Sequence, residues 1–202
     1  MMSADDQRPT MGIEAERFAG SSRVLHWLMA PLLLAMLLVG IGMVATVSPL
    51  YSVLLAIHRP LGIALLVLAL LRIANRIANR PPPLPESLPS PQRLAAFGSH
   101  YLLYALMVAM PLIGWGMLSA ERYPIVLFGS VRLPPILPHS VTLFAILRPL
   151  HSIFAYLLFL TILLHVAAAL FHGLIRRDGV LASMASLRAA RGVGRDAGSV
   201  AE

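Results

Sequence analysis

At 202 residues, 58% hydrophobic and 12% charged, with a mean hydropathy of +0.78, the chain has too few polar groups to cover a water-facing surface and belongs in a membrane. Cysteine is absent, which excludes disulfides, thiolate metal sites, iron–sulfur ligation by this chain and cysteine nucleophiles, and leaves histidine as the main soft-metal ligand. The positive side of the +7 net charge comes wholly from arginine. On a membrane chain that excess speaks first to topology, and with no soluble domain to present a basic face it argues against nucleic acid as a partner.

In chain order, residues 1–20 mix Asp5, Asp6, Glu14 and Glu16 with Arg8 and Arg17, and the apolar run behind them is too long for a signal-peptide core. A retained, mobile cytoplasmic tail is expected there. Four apolar segments follow, Val24–Thr46, Val53–Ile77, Phe97–Ser119 and Leu150–Ile175, each long enough to cross a hydrocarbon layer of about 30 Å, which takes roughly 20 helical residues. The second gives way to "NRPPPLPESLPSP" (Asn79–Pro91), whose six prolines between 81 and 91 mark a polar connection. The third gives way to "ERYPIVLFGSVRLPPILPHS" (Glu121–Ser140), where "IVLF" and "PPIL" are apolar but too short to cross and are placed at the membrane surface. The closing "SMASLRAARGVGRDAGSVAE" reads as a frayed basic tail able to touch anionic lipid. The expectation is an all-α integral membrane four-helix bundle over 21–178, flanked by tails at 1–20 and 179–202.

Arginine placement sets the expected orientation. The N-terminal tail and helix start, the second connection and the C-terminal tail together carry twelve arginines, against only Arg59, Arg122, Arg132 and Arg148 on the other side. The positive-inside rule then puts both termini in the cytoplasm of a multi-pass protein of the bacterial inner membrane.

Histidine spacing points to chemistry. His151 and His165 are fourteen residues apart on the fourth helix, which at about 100° and 1.5 Å per residue places them within roughly 40° of one face and about 21 Å apart along the axis. One face therefore offers an imidazole toward each leaflet. A porphyrin needs an axial ligand from each side, and facing helices of a bundle can supply both. At matching depths, His58 meets His151 on the outer side and His26 meets His165 on the inner side, so two haems are expected. His100 and His172 have no evident fellow at their depths, and His139 lies in a loop. Gly40, fourteen residues after His26, would face the outer haem level, where a missing side chain leaves room for a macrocycle; Gly62 and Gly114 can do similar work. Arg59, Arg72, Arg76 and Arg148, near the membrane ends, suit haem propionates because guanidinium matches carboxylate geometry.

The segments "SRVLHWLMAPLLLAML", "IHRPLGIALLVLALLRIANR", "HYLLYALMVAMPLIGWGML" and "LHSIFAYLLFLTILLHVAAALFH" resemble the four helices of the bacterial cytochrome b561 family of di-haem membrane cytochromes. The likeness runs over about residues 20–178 and includes the His26-Trp27 pair, the arginine a helix-length after His58, the Pro111-x-x-Gly114 of the third helix and the His151/His165 pair. It implies the same ligand pairing as the depth argument, and a quinone-linked role for His172. It also implies one-electron transfer between a periplasmic donor and ubiquinone or another membrane quinone. Some members oxidise superoxide, and an outer cluster of Arg59, Arg122, Arg132 and Arg148 would draw in such an anion. A second reading makes the chain a cytochrome b membrane-anchor subunit that takes electrons from a hydrogenase or dehydrogenase partner. A third, with histidines as proton relay or transport ligands, is disfavoured by the lack of intramembrane Asp and Glu.

Overall fold

The computed structural model describes residues 18–81, 89–127 and 129–185, so most of each predicted tail lies outside the described residues. Four long helices dominate: α1 (Gly20–Ala45), α2 (Leu50–Ala78), α3 (Ser90–Ala120) and α4 (Val141–Leu170). All are long and apolar enough to cross a membrane, α4 together with a π-helical turn, Phe171–Arg176, that prolongs it. The chain is an all-α bundle of four helices, each able to cross a membrane.

Helix starts differ from the sequence expectation for identifiable reasons. α3 begins seven residues early because Pro89 and Pro91 sit at its start, where a missing N–H costs nothing. α4 begins nine residues early because the Ser140 hydroxyl accepts from the Leu143 amide at 3.2 Å and caps it. Each long helix also carries an internal proline, Pro31, Pro60, Pro111 or Pro149. Membrane helices tolerate these because neighbouring groups re-satisfy the freed carbonyls.

α1 packs along α2, α2 along α3 and α3 along α4, whereas neither α1 nor α2 packs closely along α4. Between the two ends lies a small core of Met29, Leu65, Ala69, Leu103, Leu106, Met107 and Leu158. Outward-facing apolar side chains are abundant, among them Leu38, Val44, Tyr156 and Ile175 at 69%, 82%, 71% and 70% exposure. An apolar exterior on that scale is solvated by lipid, not water.

The 121–140 connection forms a short antiparallel hairpin, β1 (Val126–Leu127) against β2 (Val131–Arg132), at what we call the loop end. It is fastened to the end of α3. The Trp115 indole N–H donates to the Pro134 carbonyl at 3.0 Å, the Ile136 amide to the Ser119 hydroxyl at 3.1 Å, and the Ser140 amide to the Ala120 carbonyl at 3.1 Å. His139 Nδ1 meets the same Ala120 carbonyl at 2.8 Å, and Ile125 is buried beneath.

At the opposite, terminal end the chain turns back on itself. Arg177 and Gly179 both take left-handed backbone (φ 51° and 80°), and a short helix α5 (Val180–Ala185) folds against the π turn. Leu181 sits on Gly173, a position that only a residue without a side chain leaves open. The Trp27 indole N–H donates to the Met184 carbonyl at 3.0 Å.

Ser119→Ala strands the Ile136 amide. It should cost about 1 kcal/mol and speed proteolysis within 121–140, read by limited digestion in detergent; unchanged cleavage would show that the hairpin is held elsewhere.

Candidate functional site

Both histidine pairs meet. His58 on α2 and His151 on α4 have ring centroids 6.2 Å apart with planes at 66°, and His26 on α1 and His165 on α4 have centroids 6.4 Å apart with planes at 72°. An imidazole nitrogen binds a first-row metal at about 2 Å and the ring centre lies roughly 1.1 Å further back, so two rings on opposite sides of one iron have centres about 6.2 Å apart. The two pairs match that spacing without adjustment. Each pair also joins helices that do not pack closely along one another. Among the described residues no group of three or more His, Asp or Glu could grip a bare metal ion.

Two further observations bear on the fit. The Nδ1 atom of His58 is buried without a hydrogen-bond partner among the described residues, and a buried unsatisfied nitrogen calls for a ligand, ion or water. Glycines lie against both rings. A Cβ built on Gly40 would come 4.0 Å from His58 Cε1, at the loop-end level that its spacing predicts, and one on Gly114 would come 3.3 Å from His151 Cε1. Gly62 instead faces Met36. The residues present fit axial ligation of haem.

The four arginines separate. Arg59 keeps a buried Nε without a partner among the described residues, beside His58 in sequence, and Arg72 keeps a buried Nη1 likewise while its Nε donates to the Tyr104 hydroxyl at 3.1 Å. Arg76 stands over the same Tyr104 ring, its guanidinium carbon 5.6 Å from the centroid. Arg148 is exposed and lies over Phe144 at 6.0 Å.

Depth reasoning misses His100. Its ring lies 5.4 Å from that of His165, because α3 starts at Ser90 and so carries His100 ten residues into the helix. The proline-rich start of α3 was the signal, since prolines in a first turn extend a helix backward. His100 lines a cavity of about 50 Å³ at the terminal end together with Arg72, Asn75, Arg76, Tyr104 and Met184. His172 is not on that wall. Its Nδ1 meets Asp178 Oδ2 at 2.6 Å, and Asp178 also accepts from the Val180 amide at 3.3 Å and lies 3.6 Å from Arg176. Burial acts to raise the Asp178 pKa, but the His172 hydrogen bond, the Val180 amide and the Arg176 charge outweigh it and hold the carboxyl below its ordinary 3.8.

A multi-pass helical bundle with imidazoles paired across its interior at two depths is the architecture of a membrane b-type cytochrome. Comparison with known proteins agrees: the family model for prokaryotic cytochrome b561 matches residues 17–186, and the chain belongs to that family. It is 30% identical to cytochrome b561 homolog 2 of Escherichia coli K12 over 172 residues, 84% of this chain and 91% of that protein. It is 32% identical over 133 residues to the probable superoxide oxidase CybB of Yersinia pestis, covering 63% of this chain and 72% of that protein. Cytochrome b561 homolog 1 of E. coli is 27% identical over 176 residues, 83% of this chain and 96% of that protein. The chain is thus an electron-transfer cytochrome of the bacterial inner membrane that binds b-type haem.

Gly114→Val should push the His151 ring aside and lower haem per chain, whereas Gly62→Ala, whose Cβ would meet only Met36 at 3.5 Å, should leave it unchanged; a pyridine haemochrome assay compares them. Because the Asp178 pKa is depressed on folding, its contribution is fully present above about pH 4 and lost as the pH falls through the lower folded value. Acid should therefore detach α5 only below about pH 4, followed by hydrogen exchange over 178–185, and detachment near neutrality would contradict this.

Proposed function

We propose that the chain holds two b haems, one between His58 and His151 and one between His26 and His165, and passes single electrons through them from a periplasmic donor to membrane quinone. The observation that carries this reading is the pair of inter-imidazole spacings, 6.2 and 6.4 Å, repeated at two depths on α4. When bound, haem would supply a reversible one-electron store, with His26, His58, His151 and His165 as the residues that would hold it. The chain does the rest. The four imidazoles set orientation, and the orphaned Arg59 Nε and Arg72 Nη1 support propionate contacts from these two residues, with Arg76 and Arg148 as further cations at the same ends. The apolar core between the levels keeps water from the space the electron crosses. Among the described residues, Arg23, Arg72, Arg76, Arg80, Arg93, Arg176 and Arg177 stand toward the terminal end and favour placing it in the cytoplasm.

On this reading the outer end receives an anion. Arg59, Arg122, Arg132 and Arg148 give it a positive field, and the likeness to a probable superoxide oxidase makes superoxide the favoured donor. The cytoplasmic cavity, with His100, Tyr104, Asn75 and two arginines, offers hydrogen bonds to a quinone head group, ubiquinone or a relative. Reducing a quinone to quinol takes two electrons and two protons; haem brings only electrons. His172, which the family resemblance links to quinone, stands off the cavity wall with its Nδ1 held by Asp178.

His58→Ala or His151→Ala should remove one haem and leave the other, and His26→Ala or His165→Ala should do the converse, seen as haem per chain and as a change in the reduced-minus-oxidised band. Loss of both haems, or of neither, contradicts the pairing. Superoxide-driven quinone reduction should slow as salt rises toward about 1 M, where screening acts within about 3 Å; a salt-independent rate would exclude a steered anion as donor.

A further inference from the structure

We propose that residues 178–185 are a hinged strap across the cytoplasmic cavity, and that its opening admits the quinone head group; the proposal rests on the reading that quinone is reduced there. The cavity holds about 50 Å³, whereas pockets for molecules of drug size run to about 300–1,000 Å³. A quinone ring does not enter until a wall moves.

The walls are not equally fixed. Arg72, Asn75, Arg76, His100 and Tyr104 stand on long packed helices, and Asn75 is further tied to Ser22 at 2.7 Å. Phe18, Asn79 and Pro81 flank the ends of α1 and α2, and Met184 comes from the six-residue α5. That helix leaves the bundle through a π turn and two left-handed residues, Arg177 and Gly179. π turns are rare and concentrate at functional positions, and left-handed backbone at a non-glycine residue is itself costly. The strap is held by a clasp at its root, His172 to Asp178, by Leu181 seated on Gly173, and by one hydrogen bond at its tip from Trp27 to the Met184 carbonyl. So short an attachment opens at far lower cost than a span buried in the membrane. Because Met184 both lines the cavity and takes the Trp27 bond, releasing the tip and enlarging the cavity are one motion. Trp27 also touches the His26 ring, centroids 5.4 Å apart, which sets the latch beside the inner haem ligand.

The chain has no cysteine, so a staple can be placed cleanly. A Cβ built on Gly173 lies 3.2 Å from Leu181 Cβ, close to the roughly 3.5–4.5 Å of a disulfide, and replacing Leu181 removes the side chain that would clash. The full-length Gly173→Cys/Leu181→Cys holoprotein is compared oxidised and as its reduced, alkylated form, with haem content checked in both. The expected result is at least a tenfold slower reduction of a short-chain ubiquinone by the stapled form, with donor-driven haem reduction unchanged and the alkylated form near the wild-type rate. Equal quinone rates in the two forms overturn the strap. If the wild-type protein reduces its haems but no quinone, the quinone reading fails and takes the strap with it. Trp27→Phe keeps the question open to test should the double variant misfold: loss of the tip bond should lower the KM for quinone severalfold with the haem spectrum intact, and an unchanged or raised KM counts against the latch.

Discussion

Everything in this molecule is arranged around holding imidazoles in pairs about 6 Å apart inside hydrocarbon. A lone polar ring in an apolar bundle is a cost, and two facing rings left empty between them would repeat that cost at each depth. On the proposed reading, an iron held between them would turn that cost into a bond. The demand explains why α4 carries an imidazole toward each end, why α1 and α2 stand off from α4 while packing on their other neighbours, and why Gly40 and Gly114 lie against the rings. The bundle is a spacer for two pairs of ligands, and its modest core fills only what lies between them.

Much of this could be read from residues alone because the governing patterns are long and regular. Apolar runs of helix length gave the spans, and the fourteen-residue step from His151 to His165 gave the two depths at which α4 meets another histidine. Gly40 falls at the level its spacing predicts. What escaped the sequence was set by local chemistry at the helix ends. Pro89 and Pro91 look like breakers but start α3, and that shift brings His100 level with His165. Pro149 suggests a boundary, yet the Ser140 cap carries α4 back to Val141. α1 starts at Gly20, four residues before the apolar run, and the π turn carries the fourth helix on to Arg176. The α5 strap had no periodic signal at all, since six residues cannot show one, and its hinge uses Arg177, which nothing in composition marks as left-handed.

The two ends of the bundle differ in how they are closed. At the loop end the segment after the hairpin is fastened to the end of α3 by hydrogen bonds from Trp115 to Pro134, from Ile136 to Ser119 and between His139 and Ala120. At the terminal end the cover is short, doubly left-handed at its root and tied at its tip by a single bond. That asymmetry fits a protein that takes electrons from a small solute on one side and must admit a lipid-borne ring and protons on the other.

The most direct test of the account is haem stoichiometry and coordination in the purified protein: haem b per chain by pyridine haemochrome, with carbon monoxide added to the reduced form. Two haems per chain with sharp low-spin bands that carbon monoxide does not disturb are predicted, because all four axial positions are taken by His26, His58, His151 and His165. A single haem per chain, or a reduced spectrum shifted by carbon monoxide, would contradict the paired-imidazole account.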